Sequence, residues 1–281
     1  MNEENTNGGG ENPVEIESSV ALSPDAQTID VQIATARRYP RSIKAFMDSA
    51  LSMATIDQST AESCFYVLTR KDKDGEVKSI EGPGVRLAEI CAAAWGNLRF
   101  GSRIVGEDDK FVTAQGMAFD LQNNVAMTIE VRRRITNKHG RRYSDDMVAV
   151  TANAASAIAL RNAIFRVIPK AFIDPIYKAA KKVAVGTAET LDARRRKLLD
   201  RFAKMGVGQE RIMTSMGLKG LADIDLEMME KLIGLGTAIK DGEITIETAF
   251  PVATQAEAGT KTDSIAAKLK SKIEQESGAN G

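Results

Sequence analysis

The apolar positions of this chain alternate between a helical and a strand period, and the switches mark out its elements. From Thr28 to Met53 the pattern is helical, interrupted at Pro40. Ile43, Phe46, Met47, Ala50, Leu51 and Ala54 recur at helical spacing and form one apolar face. Cys64–Arg70 (CFYVLTR) and Val77–Ile80 flank KDKDGE, whose Asp74-Gly75 pair predicts a hairpin turn. EGPGVRLAEICAAAWG predicts a Pro-Gly turn and a helix over Val85–Trp95, with Gly96 as its terminator. Three strand-like runs follow, Asn97–Val105, Lys110–Asp120 and Val125–Ile135, joined by short polar connections. An antiparallel meander is their simplest arrangement. In the third run Ile129, Val131 and Ile135 face one way, and Thr128, Glu130, Arg132 and Arg134 the other. Arg133 falls on the apolar side, so it must emerge at the end of the sheet.

The turn NKHGRR leads into a long helix over Asp145–Ile168, capped by Ser144 or Asp145 and ended by Pro169. Its interior is dense in alanine (Ala149, Ala152, Ala154, Ala155, Ala157, Ala159, Ala163), which allows close approach to a neighbour, here the meander. Helices are expected over Pro175–Val185 and Leu191–Met205. From Gly206 the chain changes character, with two short helices, Gln209–Met216 and Leu226–Lys240, between glycines. These expectations sum to an α+β fold: an antiparallel hairpin and meander packed against a long Ala-rich helix, plus a small C-terminal helical module. The expected divisions are a disordered acidic tail over residues 1–28, a core over 29–186, the module over 187–250, and a linker with a short amphipathic helix (Asp263–Glu276) over 251–281.

Composition adds a charge map. The chain is neutral overall, yet residues 1–36 carry seven acidic side chains and no Lys or Arg. Residues 37–205 carry 30 basic against 19 acidic residues, and 206–281 carry 8 against 12. A basic middle between acidic ends suggests a core that binds a polyanion, with the ends placed to mask it or to meet other proteins. No run of 18 apolar residues occurs, and the first residues have neither a basic nor an apolar region of the signal-peptide kind. Cys64 and Cys91 are too few for a disulfide framework and read as buried thiols. The expected location is the cytoplasm, with no membrane partner.

Candidate catalytic chemistry is sparse. His139 is the one histidine and sits in a polar turn, and there is no HExxH, paired-cysteine or GxxxxGK[ST] motif. No catalytic residue, metal or cofactor is therefore assigned. A metal-dependent nuclease stays open as an alternative, because Asp108, Asp109, Asp120 and Glu130 loosely imitate an acidic metal cluster. A second alternative is an adaptor whose basic face meets an acidic protein. The leading reading is nucleic-acid binding. Arg132, Arg133, Arg134, Lys138, Arg141 and Arg142 crowd one turn, and their mutual repulsion would be relieved by an anion. Arg161, Arg166 and Lys170 follow on the next helix, where Asn162, Arg166 and Lys170 are spaced to form a polar stripe. Turn and stripe would border one groove. Few aromatics lie near this block, so backbone contact with little sequence preference is expected, rather than heavy base stacking.

The order of these elements, with the segment MVAVTANAASAIALRNAIFRVIPKAF and the tail module MGVGQERIMTSMGLKGLADIDLEMMEKLIGLGTAIKDGE, resembles the RecT/Red-beta class of phage single-strand annealing proteins. The resemblance covers roughly residues 31–185 and 190–250 and rests on pattern and order. It implies an ATP-independent protein for phage-type recombination that assembles into rings or filaments, holds single-stranded DNA extended in a basic groove and anneals it to its complement. Arg161, Arg166 and Lys170 fall on the matching helix, and Arg132, Arg134, Arg141 and Arg142 on the matching strand end and turn. The resemblance also implies that residues 206–250 recruit a single-strand-binding protein or an exonuclease. The chain departs from the family in being poor in aromatics before the long helix.

Overall fold

In the computed structural model the described residues are 26–71 and 77–251. The Asp74-Gly75 turn, most of the acidic tail, the linker and the helix expected over Asp263–Glu276 lie outside them. The fold is α+β, with antiparallel sheets.

Helices α1 (Ala26–Arg38) and α2 (Ile43–Ala54) flank Pro40 as the pattern predicts. Ser42 caps α2, and Phe46, Ala50 and Ala54 are its buried face. A short helix, α3 (Gln58–Ser63), was not anticipated; Asp57 caps it by accepting from the Thr60 amide. Strands β1 (Phe65–Lys71) and β2 (Val77–Pro83) pair as an antiparallel hairpin. Helix α4 (Val85–Trp95) follows, then β3 (Leu98–Glu107), β4 (Phe111–Asp120) and β5 (Val125–Arg134), a separate antiparallel meander in the order β3-β4-β5.

Helix α5 (Asp145–Val167) covers one face of that meander. The central strand β4 buries every second residue, and Val112, Ala114 and Ala118 lie beneath the helix. The approach is close enough that a Cβ on Gly116 would fall 2.2 Å from the Ala159 carbonyl carbon and oxygen. Alanine on the helix and glycine on the strand are thus two halves of one contact. Helix α5 has the length and composition of a membrane span, but its apolar side is spent on the sheet and on α4.

Helix α6 (Lys170–Val185) starts earlier than expected. Pro169 occupies its N-cap position, and Pro175 is tolerated on its exposed side, since Ala171, whose carbonyl it leaves without a helical donor, is itself an exposed residue. One core joins α2, α4, α5 and α6 around Phe46, Trp95 and Phe172, with Phe46 and Trp95 edge-to-face at 4.9 Å. Cys64 and Cys91 are buried, and burial pushes both thiols up to about 12.

Helices α7 (Leu191–Lys204), α8 (Gln209–Met216), α9 (Leu226–Lys240) and α10 (Ile246–Ala249) complete the described residues. They do not form a body of their own. Phe202, Ile212, Met229, Ile233 and Phe250 share one apolar core with Ala61, Phe65, Ala184 and Val185 of the preceding elements. A Cβ on Gly234 of α9 would lie 2.4 Å from Val67 Cγ2 and 2.8 Å from the Val67 amide nitrogen, so α9 sits directly on the backbone of β1. The boundary expected at residue 187 runs through the middle of this core.

Candidate nucleic-acid interface

Among the described residues, no helix is laid along the side of the meander opposite α5. Strand alternation places Arg99, Gly101 and Arg103 of β3 on this open face. Phe111, Thr113, Gln115, Met117 and Phe119 of β4 share it, as do Ala126, Thr128, Glu130, Arg132 and Arg134 of β5. Register brings the charges together. Arg134 pairs with Phe111, Arg132 with Thr113, and Arg99 with Phe119.

The guanidinium carbons of Arg132 and Arg134 lie 4.1 Å and 5.1 Å from the centroid of the Phe111 ring. Arg132 also donates to Asp108 Oδ2 at 2.6 Å, and Arg134 to Thr136 Oγ1 at 3.4 Å. Asp108 sits at the turn before β4, and the Lys110 and Phe111 amides, with Arg132, hold its carboxyl below the usual range. Arg103 reaches Gln115 Oε1, and Arg99 reaches Gln32 Oε1 on α1 at 2.7 Å. The face therefore carries four arginines and one glutamate around two phenylalanines.

The turn after β5 rims one end of this face. Asn137 Oδ1 accepts from the amides of His139 and Arg141, Thr136 bridges to Arg142, and Gly140 takes a positive φ of 80°. Lys138, His139 and Arg141 project to solvent. Arg142 pairs with Glu107 at 2.5 Å. Both this pair and Arg132–Asp108 are exposed, so each contributes about 0–1 kcal/mol and can be exchanged for a phosphate contact.

The expected residues do not all converge. Arg132, Arg134, Lys138, Arg141 and Arg142 gather at this end of the sheet. Arg166 and Lys170 are exposed, but they lie at the far end of α5, roughly 30 Å along a helix rising 1.5 Å per residue, and on the covered side of the sheet. They border no common groove with the turn. Arg161 is corrected outright as an exposed contact: it is buried, ion-paired with Glu243 and stacked 4.5 Å from the Tyr66 ring centroid. Arg133 likewise turns inward and donates to the carbonyls of Gly242 and Glu243.

Sequence reasoning missed Arg99, Arg103, Phe111 and Phe119. The alternation that sorted the third strand was already present in Arg99-Phe100-Gly101-Ser102-Arg103. The aromatic contribution was missed because Phe111 is remote in sequence from Arg132 and meets it only through the strand register.

The carboxylates of the nuclease alternative are held apart. Asp108 and Asp109 precede β4, while Asp120 ends it. Asp120 is buried, which pushes its carboxyl up. Arg41, which donates from both terminal nitrogens at 2.5 Å, and bonds from Asn123 and Trp95 bring it net below the usual range. It is a structural acceptor with its lone pairs used. Among the described residues no three His, Cys, Asp or Glu side chains are grouped to hold a metal ion.

No protein-family model, curated protein or solved structure matches this chain.

Proposed function

We propose that this protein is a non-enzymatic, cytoplasmic single-stranded DNA-binding protein that anneals complementary strands without ATP, and that it binds the strand on the open face of the meander. The observation that carries this reading is the cluster of Arg132 and Arg134 over Phe111, with Arg99 and Arg103 beside it on one uncovered sheet. Guanidinium groups neutralise phosphates, and the half-buried Phe111 and Phe119 offer ring surface to unstacked bases. Such a surface accepts any base and holds the strand extended, which suits pairing with a complement. The reading also draws on the sequence's resemblance to the RecT/Red-beta class, and assembly into homo-oligomers is proposed with it. Recruitment of a single-strand-binding protein or exonuclease through 206–250 belongs to the same proposal.

The test is fluorescence anisotropy of labelled oligo-dT and of duplex DNA across a salt series, with strand annealing followed in the same samples. Salt-sensitive binding that favours the single strand, with faster annealing in the absence of ATP, supports the proposal. Absence of binding at low salt overturns it. An acidic protein held on the basic face and not displaced by nucleic acid at moderate salt would favour the adaptor alternative.

A further inference from the structure

One segment of this chain carries charge opposite to that of the open face. Residues 1–25 contain Glu3, Glu4, Glu11, Glu15, Glu17 and Asp25 and no basic side chain. They join the structure at Ala26, the first residue of α1. Gln32, six residues further on, accepts the hydrogen bond from Arg99 of the open face. At 1.5 Å per residue the tail therefore starts about 9 Å along the helix from that contact. The face is one ten-residue strand long, roughly 30 Å, whereas 25 extended residues reach up to about 80 Å. Length, point of attachment and charge all match.

We propose that the acidic tail, residues 1–25, docks on the open face of the meander and competes there with nucleic acid. This rests on the strand-binding reading for what the tail competes with, though not for the docking itself. Carboxylates take the place of phosphates on Arg99, Arg103, Arg132 and Arg134. Because the tail is tethered, its effective concentration at the face is of millimolar order, so weak individual contacts suffice. A nucleic-acid strand, denser in charge, displaces it, while short or weakly bound anions do not. The tail thereby raises the threshold for binding and sharpens the preference for long strands.

The experiment uses the full chain. In one variant the six acids are neutralised (E3Q/E4Q/E11Q/E15Q/E17Q/D25N), and oligo-dT binding is compared with the unaltered protein. The neutralised variant should bind about tenfold more tightly at low salt, with the difference fading as salt screens both interactions. A synthetic peptide of residues 1–25 should return its affinity toward that of the unaltered protein. In a second measurement a nitroxide is attached to E15C, which is selective because Cys64 and Cys91 are buried. The label should broaden the methyl resonance of Met117 on the open face, and the broadening should weaken in R132A/R134A. Equal oligo-dT affinities with no broadening at Met117 overturn the tail proposal while leaving strand binding intact. If neither protein binds oligo-dT, the strand-binding reading fails by itself. The broadening then decides the tail: its presence upholds docking, and its absence overturns it.

Discussion

Arg161 of α5 and Glu243, in the turn after α9, form a buried ion pair, with side chains only 8% and 4% exposed. Arg133 reaches the same turn from β5 and donates to the carbonyls of Gly242 and Glu243 at 3.0 Å and 3.2 Å. Two arginines expected on a DNA-binding surface therefore fasten the C-terminal helices to the meander. Burial pushes the Glu243 carboxyl up, and Arg161 pulls it back.

Removing one member of this pair leaves a buried charge alone. Arg161→Ala is expected to cost about 3–5 kcal/mol in urea unfolding. The double variant R161A/E243Q should recover part of that loss, because no carboxylate remains to be buried. The pH dependence has a definite sign. Without Arg161 the folded-state pKa of Glu243 lies further above its unfolded value of about 4.3. The folded state then takes up a proton more readily, so stability increases as pH falls and is lost as pH rises through the folded pKa. The deficit of R161A should accordingly shrink between pH 7 and pH 5. A deficit independent of pH would mean that Glu243 is not the source.

Truncation tests the shared core. A chain ending at residue 205 loses Ile212, Met229, Ile233 and Phe250, and uncovers Phe65, Val67 and Phe202. It should fail to melt cooperatively, since each large side chain withdrawn from a core costs about 2–5 kcal/mol. A chain ending at Pro251 keeps all of these contacts and should melt like the full protein. Cooperative melting of the shorter chain would restore 206–250 as an independent module.

Which features were legible follows from the range of each signal. The alternation in β5, the break at Pro40 and the alanines of α5 act over a few residues, and each element lies close to where the pattern puts it. Arg161 was misread because helical spacing fixes its angle on α5 but not what stands opposite. Its partner is 82 residues away. Helix α5 buries Thr151, Ala154, Arg161 and Ala163 as well as its sheet-facing alanines, so packing on several sides encloses Arg161 while Arg166 stays exposed. The interface was half visible for the same reason. Arg132 and Arg134 share a strand, but Phe111, Arg99 and Arg103 join them only through hydrogen-bonded register across two neighbouring strands.

Gly116 offers a compact test of how α5 sits on the sheet. A methyl at this position would overlap the backbone of Ala159, which has no side-chain freedom to yield. Gly116→Ala should destabilise the protein by about 1–3 kcal/mol, despite the usual gain from replacing glycine in a strand. A neutral or stabilising effect in thermal unfolding would show that Gly116 and Ala159 are not in such close contact.

The two groups of exposed basic residues can be separated by salt. Arg132→Ala with Arg134→Ala removes two cations from the open face and also uncovers Phe111. It should weaken oligo-dT binding and lower the slope of log K against log salt by about 1.4, at roughly 0.7 per phosphate contact on single strands. Arg166→Ala with Lys170→Ala removes the same charge from the far end of α5, where the residues are exposed and distant from the face, so the slope should change little. Both pairs are surface changes and should leave the melting temperature nearly unaltered, which keeps binding distinct from folding. If the second pair flattened the slope and the first did not, the strand would run over α5 and α6, and the open face of the meander would be free for another partner.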